Sequence, residues 1–339
     1  MNYSDTLYFT VIAAGVAVSV LLFAAGLKKR SLHPFHAFPL MAACLLAAFV
    51  TGKLFWFLFN SVQLSEGGFV GLIRPVPSEF SFTGCLAGAA LGVWLTSRLL
   101  KQPARQVMDC FALPCCVLAA FVRFAEIFQG DLGLGEMSTF GLDEISDSSV
   151  LAFFPLAVRD QWGQWLLSIS TLEAVGALFA GILVLHCSAA DRSGKKRPCD
   201  GMLFELALFA LCIFPMFFEI AKITGTVFYY IHVEQLLSVL LMLFPVIRLC
   251  LRLSNSRQRM PWLPLVLFLL CVALNGFSQF FLDKAWRFSS LFSEDVFSWL
   301  SNHLEQICSC VMLVTVICAS VVYVLSFRKA SKAGVPDES

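Results

Sequence analysis

Charge is scarce in this 339-residue chain. Asp, Glu, Lys and Arg together make up 14% of it, while apolar residues reach 58% and mean hydropathy is +0.80. Soluble domains carry roughly 25% charged residues, so this composition excludes an ordinary soluble globular domain. Metal-binding spacings are missing too. The thirteen cysteines form no Cys-x-x-Cys pair, most lie inside apolar runs where Cys acts as a small hydrophobe, and the five histidines are scattered. Neither a metal site, a cofactor nor a disulfide framework is expected. A nucleic-acid surface is excluded as well, because the formal net charge is only +1 and the basic residues occur in short clusters beside apolar runs. Finally, Met1 to Thr6 holds Asp5 and no basic residue, and the apolar run that follows is too long for a signal-peptide core, so the first span is expected to be retained.

What the chain has instead is long apolar runs, at about 7–26, 37–60, 80–98, 107–128, 165–187, 202–220, 233–252, 262–282 and 304–326. Each approaches or exceeds the roughly 18 residues that cross a hydrocarbon core as a helix. The fold class that follows is an all-α polytopic transmembrane bundle of about nine spans. Basic clusters follow spans one, three, five, seven and nine: Lys28-Lys29-Arg30; Arg98, Lys101, Arg105; Arg192, Lys195, Lys196, Arg197; Arg248, Arg252, Arg257, Arg259; and Arg328, Lys329, Lys332. The intervening loops are poor in Lys and Arg, and the longest, about 129–164, is acidic. By the positive-inside rule the N-terminus lies outside and the C-terminus in the cytoplasm, and the expected location is a bacterial-type inner membrane.

Neither of the two long polar breaks, Ala189 to Asp200 and the loop 129–164, suffices for a soluble domain. The last third contains a possible repeat: His232, Glu234, Gln235 and Ser238 recur as His303, Glu305, Gln306 and Ser309, all displaced by the same 71 residues. The expected division is a seven-helix part over 1–253 and two additional helices over 254–339, the latter a possible copy of the preceding helix pair.

Ionisable residues inside spans are expensive and functional by default. Arg123 and Glu126, three apart in span four, can pair with each other, or Arg123 can hold a lipid phosphate, for which its planar donors are suited. Span four runs outward, whereas spans one, three and seven begin at the outer face. Topology therefore brings Tyr8, Thr83 and Gln235 to the depth of Arg123, and Glu126, Asp131 and Glu219 join them in a polar cavity level with the outer headgroups. Tyr8 also fits an interfacial aromatic belt, and Gln235 and Ser238 also fit hydrogen bonds to a neighbouring helix.

These residues carry a resemblance. Val122-Arg123-Phe124-Ala125-Glu126-Ile127-Phe128-Gln129-Gly130-Asp131 is similar to Gly-Arg-x-x-Asn-Phe-x-Asn-Gly-Glu, the signature of the prolipoprotein diacylglyceryl transferases, in which Asp131 replaces the Glu. Ser81-Phe82-Thr83-Gly84-Cys85 resembles that family's Ser-Phe-His-Gly-Gly, and Gly52-Lys53-Leu54-Phe55-Trp56-Phe57-Leu58-Phe59 its Ala-Arg-Leu-Gly-Tyr-Val-Leu-Phe. Tyr8 looks like its Tyr near the first helix start, Phe153-Phe154-Pro155 like its Val-Phe-Pro, and Gln235-Leu236-Leu237-Ser238 like its Gln-x-Leu-Ser. The likeness covers about residues 1–253. It departs at three points: the family's important His falls on Thr83, its second essential Arg on Pro215, four before the matching Glu219, and its signature Asn on Glu126.

The resemblance implies a seven-helix membrane enzyme that moves diacylglycerol from phosphatidylglycerol to the lipobox cysteine of a prolipoprotein signal peptide. It implies Arg123, Asp131 and Glu126 as catalytic residues, the acids assisting removal of the thiol proton, and Arg123, Tyr8, Thr83, Gly84, Glu219 and Gln235 as substrate-binding residues. A threonine cannot take a proton at neutral pH, so no general-base role passes to Thr83. The departures keep a second reading open, a non-catalytic paralogue that binds phospholipid or lipoprotein precursors. A transporter comes third, because the candidate repeat has the same orientation in both copies rather than an inverted one.

Overall fold

The computed structural model describes residues 3–60, 73, 75–129, 134–135, 145–159, 163–189, 200–222, 227–228, 231–256, 258, 260–284 and 293–333. Its nine α-helices among these residues follow the apolar runs: α1 Tyr3–Lys29, α2 Ala37–Phe59, α3 Phe82–Leu99, α4 Ala104–Ala125, α5 Ile169–Ala189, α6 Met202–Phe218, α7 Val233–Asn255, α8 Leu263–Asp283 and α9 Glu294–Ala333. Seven of them are long and apolar enough to cross a membrane; the two outside that set are α3 and α6, the latter apolar but shorter at 17 residues. The surface explains the composition. Leu21, Leu46, Leu58, Phe179, Ile182, Leu240, Phe277 and Val314 point outward, while Arg123, Glu173, Glu205 and Lys222 are buried. Apolar outside and polar inside is the arrangement of a multi-pass membrane protein, whose solvent is lipid.

The helix α6 is buried along most of its length, which is why it is apolar all round. Around it, α1 packs on α4, α4 on α5, α6 on α7 and α8 on α9. The tightest pairing joins α2 to α3. Gly84, Gly88 and Gly92 recur every four residues along one face of α3 and meet Ala43, Ala47 and Thr51 of α2. A Cβ on Gly88 would lie 1.8 Å from Thr51 Oγ1 and 2.5 Å from the Ala47 carbonyl, and one on Gly92 would lie 2.6 Å from the Ala43 carbonyl. Small residues let two backbones approach where no hydrophobic force drives helices together. Thr51 Oγ1 uses the proximity, donating either to Ala47 O or across to Gly84 O, each at 2.7 Å.

At the basic end, Asp109 of α4 accepts backbone N–H groups from Gly201, Leu203 and Phe204 at 3.0, 2.9 and 3.2 Å, capping α6 from another helix. Gly201, with φ 90°, supplies the left-handed turn that brings α6 onto that carboxylate. Glu205 then ties α6 to α7 through Arg248 at 3.3 Å and Arg252 at 3.0 Å.

The opposite end carries two small antiparallel sheets. In the first, β3 (Trp165–Ser168) pairs with both β1 (Leu134–Gly135) and β2 (Ala157–Arg159), with Ser168 opposite Leu134, Leu167 opposite Ala157 and Trp165 opposite Arg159. Residues 165–168, expected as the start of span five, are thus a strand that runs directly into α5. In the second, β4 (Val227–Phe228) pairs with β5 (Ile231–His232), which leads into α7. Helix α9 extends at both ends beyond the expected 304–326. Of the residues that recur at the 71-residue spacing, His232 precedes α7 and His303 lies inside α9.

Candidate functional site

Five short features position the residues of the site. Ser81 caps α3, its Oγ accepting the Gly84 N–H at 3.0 Å, and so fixes the first turn that carries Phe82 and Thr83. A single 3-10 turn, Glu126–Phe128, closes α4 just beyond Arg123, and another, Glu219–Ala221, closes α6 just before Lys222. The strands β3 and β5 deliver Glu173 and Glu234 in the opening turns of α5 and α7.

Arg123 is 5% exposed and forms the hub. Its Nη1 donates to Glu126 Oε1 at 2.8 Å, its Nε lies 3.1 Å from Glu173 Oε2, and its guanidinium stacks 3.9 Å above the Phe82 ring. The i,i+3 pair expected from the sequence is therefore formed, and it takes only part of the guanidinium. Arg123 Nη2 has no hydrogen-bond partner among the described residues. Glu173 Oε2 also lies 3.0 Å from Lys222 Nζ, which reaches Glu219 Oε2 at 2.8 Å. The chain Glu126–Arg123–Glu173–Lys222–Glu219 thus joins α4, α5 and the end of α6 in one buried network. Burial and Arg123 press the Lys222 ammonium toward neutrality, but Glu173, Glu219 and Glu126 more than reverse this and hold its pKa above the usual lysine range.

On the adjoining side, Glu234 Oε2 accepts the Thr83 backbone N–H at 3.0 Å and the Thr83 hydroxyl. Tyr8 is buried within electrostatic reach of Glu126, Cys85 and Arg123. Gln235 faces elsewhere: its Nε2 donates to Met216 O of α6 at 3.0 Å, and its Oε1 accepts the His232 N–H at 3.3 Å. Gly84 is buried in the α2–α3 contact, where a Cβ would come 2.9 Å from Phe55 Cβ. Pro215 lies inside α6. Asp131 lies outside the described residues. A second ion pair joins the buried Lys53 to the half-buried Glu79, Nζ to Oε2 at 2.6 Å, with the ammonium 4.8 Å from the Phe80 ring centroid.

Two cations, Arg123 and Lys222, thus meet four carboxylates, Glu126, Glu173, Glu219 and Glu234. Sequence reasoning found Arg123, Glu126 and Glu219. It missed Glu173 and Lys222 and noticed Glu234 only as part of the repeat, although Glu173 is an acid inside an apolar run. Among the described residues no group of three or more His, Cys, Asp or Glu side chains is placed to hold a metal ion.

Fold and site together describe a multi-pass membrane protein with a buried charge network at one end of its bundle. The sequence model of the family described as prolipoprotein diacylglyceryl transferase matches residues 5–251, most of the chain, and the protein belongs to that family. Membership makes membrane lipid and lipoprotein the substrate classes. No curated protein matches the chain. The matched region ends within α7, so α8 and α9 lie beyond it.

Proposed function

We propose that this protein transfers diacylglycerol from phosphatidylglycerol to the lipobox cysteine of a prolipoprotein, in a bacterial cytoplasmic membrane that it crosses nine times with its N-terminus outside. The observation that carries the reading is the buried Arg123 guanidinium, whose Nη2 retains a donor for a phosphate oxygen. In the reaction, the cysteine sulfur forms a bond to the glycerol methylene carbon as the bond from that carbon to the phosphate oxygen breaks. Glycerol phosphate leaves with the electron pair, and the thiol proton passes to a carboxylate. Charge grows on the leaving phosphate, where Arg123 stabilises it.

Lys222 is the natural second cation. It lies seven residues after Pro215, the position at which the resemblance puts the family's second Arg, and it shares Glu173 with Arg123. Glu219 acts through Lys222, Gln235 through the α6–α7 junction, and Gly84 through the approach of α3 to α2. Tyr8 contributes the apolar wall and a hydroxyl at the depth of Arg123, and Asp131 is proposed as a further acid of the site.

One observation favours the other reading, a non-catalytic phospholipid binder. Arg123 is held on two sides by its own carboxylates, so an incoming phosphodiester must displace one of them. Expression in cells depleted of their own transferase separates the two. The transferase reading expects prolipoprotein to be modified by the native protein and not by Arg123→Ala; accumulation of unmodified prolipoprotein with both, despite normal membrane insertion, leaves only the binder.

A further inference from the structure

We propose that Glu234 is the group that takes the proton from the attacking cysteine thiol, an assignment that rests on the transferase reading above. The four carboxylates differ in what neutralises them. Glu126 is paired with Arg123, Glu173 with Arg123 and Lys222, and Glu219 with Lys222. Glu234 is, among the described residues, the one of the four without a cationic partner: its hydrogen bonds come from the neutral Thr83 N–H and Thr83 hydroxyl, both to Oε2. Protonating a carboxylate locked to a guanidinium or an ammonium breaks an ion pair, whereas Glu234, held by neutral donors, gives none up. The two Thr83 bonds fix Glu234 by one oxygen, and Oε1 has no partner among the described residues.

Its placement also fits the task. Glu234 opens α7, is only half-buried, and lies within electrostatic reach of Arg123, the group proposed to receive the phosphate. A thiol of ordinary acidity, with pKa about 8.5, is only a few per cent ionised at neutral pH, so a positioned base is worth roughly 10²–10⁴-fold. Thr83 cannot act as that base, but it orients the residue that can. In the step, the sulfur loses its proton to Glu234 Oε1 as the sulfur–carbon bond forms and the carbon–oxygen bond breaks. The proton then passes to the departing glycerol phosphate or to water, which restores the carboxylate.

The test uses the full-length protein in phosphatidylglycerol micelles with two lipobox peptides, one bearing cysteine and one selenocysteine, whose selenol is already ionised at neutral pH. Glu234→Gln keeps an oxygen that accepts the Thr83 bonds but cannot take a proton. It is expected to slow transfer to the thiol by about 10²–10⁴-fold and to leave transfer to the selenol within a few-fold, with phosphatidylglycerol retention unchanged. Thr83→Val, which removes one tether and keeps the carboxylate, is expected to lose far less than Glu234→Gln on the thiol. Equal losses on both peptides, or equal losses in both variants, would mean that Glu234 merely ties α7 to α3 and would overturn the assignment. Full thiol activity in Glu234→Gln would overturn it as well, while leaving the transferase reading intact. A native protein inactive on both peptides would overturn the transferase reading first and the assignment with it.

Discussion

Arg123 is where the chemistry concentrates, and its substitutions separate charge from geometry. Arg123→Lys keeps one point charge but loses the planar fork that serves Glu126, Glu173 and a phosphate together. Native mass spectrometry is expected to show phosphatidylglycerol retention weakened in Arg123→Lys and more so in Arg123→Ala; unchanged retention in both would reduce Arg123 to a structural ion-pair member. His232 gives a pH prediction. Burial, with Lys222 adding and Glu219 partly opposing, lowers its pKa. A base whose folded pKa lies below its unfolded value takes up protons more readily when unfolded, so stability is lost as pH falls through the unfolded value of about 6.5. Thermal stability in detergent is expected to decline from about pH 7 to pH 5, and the slope to be shallower in His232→Gln. Identical slopes would contradict it. At this scale the Arg123–Glu126 pair was legible, because i,i+3 spacing is local. The partnership of Glu173 with Lys222 was not: the two residues are 49 apart in the chain, and only the packing of α5 against α6 brings them together.

Among the elements, α2 and α3 make the sharpest claim. With a Gly88 Cβ position only 1.8 Å from Thr51 Oγ1 and 2.5 Å from backbone, Gly88→Val forces the helices apart, at a cost of about 1–3 kcal/mol for overpacking. Gly276→Ala in α8 meets nothing within 4 Å and is expected to be neutral or better. Comparing the melting temperatures of the two variants checks this, and equal effects would deny the close contact. Helices were readable because apolar runs of spanning length have few other folds in lipid. The strand at 165–168 was hidden because Trp165-Leu166-Leu167 continues the hydrophobicity of α5 without a break, and only its pairing with 157–159 reveals it. The ends of α9 were underestimated because the apolar run stops at charged residues, among them Arg328 and Lys329, while the helix continues to Ala333.

For the whole molecule, helix direction alone sorts the charges. The basic ends of α1, α3, α7 and α9 are opposite the end where Arg123, Glu173, Lys222 and Glu234 meet. The orientation proposed above expects a cysteine placed at Ser149 to be labelled by a membrane-impermeant reagent from outside, and one at Gln258 only after lysis. Reversed labelling would overturn it. Beyond the family match, α9 docks on α6 through Tyr323, 2% exposed and stacked 4.0 Å from Phe209. Tyr323→Ala is expected to destabilise the protein by about 3–5 kcal/mol, as for other large buried aromatics, which would lower its thermal midpoint in detergent; an unchanged midpoint would show that α8 and α9 ride loosely on the remainder.

The central claim is that this bundle performs the transfer, with Arg123 stabilising the departing phosphate. Incubating the purified protein with phosphatidylglycerol labelled in its diacylglycerol part and a lipobox peptide, then measuring label on the peptide, tests it most directly. The account predicts labelled peptide with the native protein and a loss of about 10²–10³-fold in Arg123→Ala, the scale of removing one transition-state donor. No labelled peptide from a native protein that still retains phosphatidylglycerol would contradict it.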